Sequence, residues 1–331
     1  MKDKTYRPKG RLRWLEGERA RHRSGWLGYN VTIFNTLGQY PEGTHMVPGG
    51  VFHADPELVF SVVWGGSWQR LDAELPYSEL RGLSPDCLRL VAALMLCERR
   101  GERRCNFYPE TEHRRRLDTR RLRLDRAEVV GEIRQFLLED LSNCTDSQGG
   151  RLPYKPSRKY DLFDPSQLLL DRLLEFWEAF NPPDYLVLRG MHALMKADML
   201  ACHREFQEEA TIACFIALDA SFSKIQQELV NDGARNPSAH DVAKWVHAHF
   251  NEAFGIATPG PEDKYFGDLY EQRVMTLHPS SRYGETPVAP ILYGDYMWLR
   301  RDLREVFAYL ITRHHGPDYN EDLRTSLRRA R

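Results

Sequence analysis

The chain has 331 residues, enough for one large domain or two ordinary ones, and its 42% hydrophobic and 28% charged residues are ordinary for a soluble globular protein. A net charge of −1 rules out a global electrostatic bias toward nucleic acid or a membrane surface, and leaves only local patches to supply one. No apolar run approaches the ~20 residues of a membrane span, and no apolar segment follows the basic start as a secretory signal would require.

Residues 1–25 carry nine Lys/Arg against three acids, with Trp14 inside the segment and Trp26 just past it. So short a basic stretch reads as a solvated tail before it reads as a nucleic-acid arm. Residues 26–80 read as strand and loop. Asn30–Phe34 and Leu58–Trp64 are rich in β-branched and aromatic residues, and Gly and Pro punctuate both. Gly49-Gly50 and Gly65-Gly66 are turns rather than phosphate loops, since no GKS/T and no helix-opening GxGxxG follows. His45 and His53 flank the first pair, without a third ligand to complete a metal site.

Ser84-Pro85 reads as an N-cap followed by proline at the first helical position, opening a buried helix to about Cys97. Residues 113–126 hold seven arginines against two acids. Arginine is the better phosphate fork, so Arg114, Arg115, Arg120 and Arg121 are candidate phosphate contacts, with a solvated charged face as the alternative. Asp125 and Glu128 have the spacing of a capping box ahead of a helix to about Leu141. Ser142–Asp161, with Gly149-Gly150, Pro153 and Pro156, is the expected linker, dividing the chain into domains 1–150 and 160–331.

The remainder reads as helical: a helix opened by Asp164-Pro165 and carrying Leu170, Leu173, Leu174 and Trp177, then helices over 184–200 and 204–230, and one from Ser238 to about Phe250. Ile212–Leu218 is apolar nearly all round and is expected at the centre. In Lys264–Arg282, Phe266, Leu269, Tyr270, Val274 and Leu277 mark one face of an amphipathic helix that Pro279 ends. Arg273 then sits in the last turn and His278 in the exit, where a bend brings the imidazole back toward the guanidinium. That pair suits phosphodiester chemistry: arginine grips phosphate oxygens and histidine moves protons near neutral pH. Tyr270 and Arg282 are neighbouring contacts. A last helix starts at Asp295, and the tail from His314 is expected to fray.

The six cysteines include no CxxC pair and read as reduced packing residues of a cytoplasmic protein, with no metal and no cofactor expected. His247 and His249 point about 200° apart on one helix and cannot chelate one ion together. No GxSxG occurs.

The helical hairpin, the long buried helix, the helix ending in Arg273-x4-His278 and the final helix together resemble the HEPN superfamily, which includes ribonuclease toxins, antiviral defence nucleases and non-catalytic binding modules. The resemblance covers roughly 184–313. Together with the strands and helices read in the first half, it gives an α+β protein, mainly α: a mixed α/β N-terminal region followed by a helical bundle that the resemblance implies is HEPN-like. It implies RNA as partner and metal-independent cleavage, with His278 in proton transfer and Arg273 on the scissile phosphate, in a cleft shared by two copies in a homodimer. A toxin or defence setting also comes from the resemblance alone. Val274 stands where the family commonly has Asn, Asp or His, a departure that fits the non-catalytic alternative, a dimerisation module beside a ligand-recognising N-terminal domain. A second spacing of the same kind, Arg235…His240, has Pro237 inside it and falls in a loop.

Overall fold

The computed structural model describes residues 28–65, 84–99, 105–117, 122–142, 159–180, 184–267 and 293–329, with backbone only at 85 and over 111–116 and 293–295. A β-sheet-rich α/β region comes first and a largely α-helical region follows. Contacts divide the chain into two compact units, Met1–Glu98 with Arg103–Trp177, and Arg99–Glu102 with Glu178–Arg331. The expected linker lies mostly outside the described residues.

In the first unit, β1 (Gly28–Phe34), β3 (Gly43–Val47), β4 (Gly50–Ala54), β5 (Val59–Gly65) and β6 (Pro109–Leu117) form an antiparallel sheet in the order β3-β4-β5-β1-β6. The β3–β4 turn needs Gly49 at φ 73°, and a Cβ on Gly50 would lie 1.9 Å from the Val62 carbonyl, so both glycines are required by the turn. Alternation sends Val31, Ile33, Val51, Phe60 and Val62 to one face, where they pack with Ile133, Phe136 and Leu137 of α2 (Ala127–Ser142). On the other face Ser61 meets Cys87 of α1 (Pro85–Leu96) at 3.4 Å, and Phe34, Tyr40, Phe52 and Phe107 pack as tilted and edge-on rings. β2 (Gln39–Pro41) pairs in parallel with β7 (Asp161–Phe163).

Ser84 caps α1 as expected, its side chain accepting from the Cys87 N–H. The box expected at Asp125 is different: Arg123 holds that carboxylate at 2.8 and 2.9 Å, and the first turn of α2 is bonded to the Arg126 carbonyl. Asp164 caps only a 3₁₀ turn, Pro165–Gln167, and the regular helix α3 (Leu173–Ala179) starts later, with Leu174 exposed rather than in the core. Cys87, Cys97, Cys105 and Cys214 are buried and outside any disulfide, whereas Cys202 is exposed just past a helix end.

In the second unit, α4 (Tyr185–Leu200) and α5 (Gln207–Asn231) form a hairpin. Asp184 caps α4 through the N–H groups of Leu186 and Val187 and also takes Lys224 of α5 at 2.8 Å, which fixes the pair antiparallel. Ile216 of α5 is exposed, so the stretch expected to be central has one open side. Helix α6 (Ala239–Val246) opens with a full capping box between Ser238 and Asp241, then widens into a π-helical turn, His247–Asn251. Helix α7 (Tyr293–Thr312) buries Leu299, Leu303, Val306, Phe307 and Leu310. Arg300 grips the fully buried Asp198 of α4 at 2.5 and 2.9 Å, and Tyr296 donates to the same carboxylate at 2.5 Å. A Cβ on Gly190 would lie 2.3 Å from the Phe307 ring. Asp198 meets Arg300 and Gly190 meets Phe307, so α7 runs antiparallel to α4.

The tail expected to fray is instead α8 (Pro317–Arg329). Pro317 sits at its first position, Asp318 in its first turn favours the positive end of the helix, and Tyr319 is buried as its anchor. His315 stacks between Tyr309 and Tyr319, at 4.7 and 3.8 Å, and carries the turn from α7 into α8.

Candidate functional site

The helical unit holds a cavity of about 880 Å³. Three stretches far apart in sequence form its wall: the end of α6 with the loop to Gly267, the α7 segment Arg301–Val306, and Tyr319 with Asp322 of α8. Its volume falls in the range of small-molecule sites, ~300–1,000 Å³. The π-helical turn comes first in the wall. His247, Phe250 and Asn251 of this turn line the cavity, and such turns recur at functional positions.

His247 is 6% exposed, and its Nδ1 has no hydrogen-bond partner among the described residues. Below it lie aromatic rings: Phe250 with Tyr319 at 6.3 Å, Phe254 with Tyr319 at 5.2 Å, and Tyr265 with Phe266 at 4.7 Å. Tyr265 is buried and shares a 2.7 Å hydrogen bond with Ser221; burial pushes its phenol well above the usual range and keeps it neutral. Phe266 has φ 47°, a left-handed conformation that a bulky side chain adopts only when its surroundings hold it there.

Among the described residues that line the cavity, Glu262, Asp263, Asp302, Glu305 and Asp322 are acidic and Lys264 and Arg301 are basic. Arg301 is engaged already, paired with Asp302 at 2.8 Å and lying 4.1 Å from the centre of the exposed Trp298 ring. The Asp263 carboxylate accepts from the Gly260 N–H at 2.7 Å, which shapes the loop. Among the described residues no group of His, Cys, Asp and Glu comes close enough to hold a metal ion.

A second polar cluster sits in the sheet unit. His53 lies between the Thr44 hydroxyl at 2.7 Å and the Asp55 carboxylate at 2.9 Å, which is the order hydroxyl, imidazole, carboxylate. Here the carboxylate is committed elsewhere: it binds the Arg134 guanidinium and the N–H groups of Glu57 and Leu58 at 2.7 and 3.0 Å. Burial alone would raise the Asp55 pKa, but His53, Arg134 and those backbone donors outweigh it and hold it far below the carboxylate range. Thr44 is exposed on the edge strand β3. The cluster ties the β4–β5 turn to α2. Nearby, His45 bonds the Glu42 carbonyl at 2.9 Å, so the two histidines serve separate loops.

Of the residues singled out in sequence, Tyr270, Arg273, His278 and Arg282 lie outside the described residues, as do Arg120 and Arg121. Arg114 and Arg115 fall on β6, paired through the backbone with Thr32 and Val31, and their side chains are not described. The arginine-rich stretch, read as phosphate contacts or as a charged face, is thus partly an edge strand, where charge also discourages pairing with other chains. Arg235 is exposed in the turn before Ser238, and the His240 ring bonds the Asp263 carbonyl at 3.0 Å. Of that second spacing, the histidine holds the cavity loop and the arginine is exposed. Sequence reasoning missed the cavity; its local signals were the loop acids Glu262 and Asp263 and the aromatic pair Tyr265-Phe266.

Comparison of this chain with protein-family models, with curated proteins and with solved structures gives no match in any of the three. No described helix is long and apolar enough to cross a membrane.

Proposed function

We propose that the helical unit binds RNA and cleaves it without a metal at Arg273 and His278, in the manner of the HEPN superfamily that the sequence resembles. The observation that carries this reading is the Arg273-x4-His278 spacing ahead of Pro279, in a stretch the chain enters at Gly267 on the cavity wall. The α4–α5 hairpin and the long α7 follow the helix order on which the resemblance rests. In this reading His278 transfers a proton at the 2′-hydroxyl or the leaving oxygen. Arg273 binds the scissile phosphate, with Arg282 and Tyr270 as further contacts, and two copies of the chain complete the cleft. The arginines at 114, 115, 120 and 121 are the proposed wider phosphate surface.

The test is incubation of the purified full chain with a generic single-stranded RNA in EDTA. Wild type cleaves, and His278→Ala loses about 10²–10⁴-fold in rate, the usual worth of a general acid or base. Absence of cleavage by both proteins, or equal cleavage by both, overturns the reading. A second reading, a binding module that does not cut, is favoured by Val274, where a polar neighbour would orient the pair. It predicts RNA retention without cleavage, weakened by Arg273→Ala.

A further inference from the structure

We propose that Thr44 is a nucleophile that accepts an acyl group from small activated esters, with His53 as its general base. The site lies in the sheet unit, uses no residue of the ribonuclease reading, and stands or falls apart from it.

The proton positions follow from the hydrogen bonds. Arg134 and the N–H groups of Glu57 and Leu58 hold the Asp55 carboxylate ionised, so it has only acceptors to offer. Its 2.9 Å bond to His53 therefore places the proton of the neutral ring on Nε2. Nδ1 is left as a lone pair, and it faces the Thr44 hydroxyl at 2.7 Å. The hydroxyl thus donates to a base that a third group orients, the arrangement that activates a nucleophile. The other partners of Asp55 do not take it out of this line; they stop it turning away from His53. Phe60, with ring centres 5.1 Å apart, packs against the imidazole.

The strand register supplies the rest of the site. Val47 and Gly50 flank the two-residue turn as a hydrogen-bonded pair, so Met46 with Val51 is a non-bonded pair, and so is Thr44 with His53. Non-bonded pairs bring side chains closest, which accounts for the short contact between Thr44 and His53. Their N–H and C=O groups point away from the partner strand. Among the described residues β3 ends the sheet, so the Thr44 N–H points to an open edge, beside its own hydroxyl. That N–H is a donor for the oxygen of an attacked carbonyl. Thr44 is exposed, and Met46, on the same face two residues along and 57% exposed, offers apolar contact to a short acyl chain.

In the reaction Thr44 Oγ attacks the ester carbonyl while His53 Nδ1 takes the hydroxyl proton. The tetrahedral intermediate breaks its bond to the leaving oxygen, which departs with that proton, and the acyl group stays on Thr44 as an ester. Water, activated by the same Nδ1, then releases the carboxylic acid and restores the hydroxyl.

The experiment is incubation of the full chain with p-nitrophenyl acetate, without RNA. Nitrophenol release gives the rate, and peptide mass spectrometry locates the acetyl group. Wild type is expected to carry acetyl on Thr44 and to turn over, and Thr44→Ser, which keeps the hydroxyl, to retain both. Thr44→Val should lose the adduct and about tenfold or more of the rate, and His53→Asn about 10²-fold. Asp55→Asn should slow the reaction and move the inflection of its pH profile to lower pH, because the imidazolium loses the anion beside it. Acetyl found only on other residues, or a rate unchanged in Thr44→Val, as when an imidazole is itself the nucleophile, overturns the assignment. So does an unchanged rate in His53→Asn or an unmoved inflection in Asp55→Asn. Thr44→Val decides should the other two variants disturb the β3–β4 hairpin.

Discussion

The two units treat ionisable side chains in opposite ways. In the sheet unit Asp55, His53, Arg134 and Glu57 satisfy one another around a half-exposed turn, and the result is a scaffold joint. In the helical unit one pair, Asp198 with Arg300, is sealed between α4 and α7, while a second set of carboxylates faces a cavity beside an unpaired imidazole. Polar groups that close on each other hold a fold, and the buried His247 Nδ1, without a partner among the described residues, takes no part in that closure.

The sharpest way to break that contrast is to remove one carboxylate from each unit. Asp198→Ala leaves the 3%-exposed Arg300 side chain without its carboxylate, and should cost about 3–5 kcal/mol in urea denaturation. Asp198→Ala with Arg300→Met should recover part of the loss, because the buried charge goes with its partner. Asp55→Ala, at a solvent-screened cluster, should cost only about 1 kcal/mol. Equal losses at the two sites would remove the distinction between a sealed pair and a surface joint.

A smaller effect tests the packing that frames the helical unit. Gly190 lets α4 approach α7 at Phe307, where an added Cβ would lie 2.3 Å from the ring. Gly190→Ala should cost about 1–3 kcal/mol through overpacking, despite alanine's better helix propensity. A stabilised variant would mean that the ring moves aside freely and that the contact does not set the helix spacing.

Local signals made much of the fold legible. β1 and β5 announce themselves by β-branched and aromatic runs, α1 by Ser84-Pro85, α4 by Asp184, and α6 by Ser238. β6 was hidden because PETEHRRRL lacks the apolar alternation of a half-buried strand; it is an edge strand, held by backbone pairing to β1. α8 was hidden because its mostly polar sequence reads as tail, although Pro317 and Tyr319 mark its start and anchor. The cavity has no contiguous signature at all. It exists only once residues near 250, 265, 302 and 322 are folded together, and a sequence-local spacing such as Arg273…His278 says nothing about that assembly.

The smallest effect is a pH dependence at the α7–α8 turn. His315 sits between Tyr309 and Tyr319, edge-on to Phe250 at 5.1 Å, with Nδ1 lacking a partner among the described residues. Burial, with the nearby His249 adding to it, lowers the His315 pKa below its ordinary 6.5, although a hydrogen bond to the His249 backbone acts the other way. The native state therefore favours the neutral ring. Its stabilisation is fully present above the unfolded value, about 6.5, and declines as pH falls through that value toward the lower folded one. Asp55 does not confuse the measurement, since its pKa is depressed in the folded state and its contribution declines only as pH falls through the unfolded carboxylate value, 3.8, below the range measured. Denaturation midpoints at pH 7.5 and 5.5 should show wild type losing stability on acidification and His315→Phe losing less, since phenylalanine keeps the stack and has no proton to gain. An identical drop in both proteins would move the titrating group elsewhere.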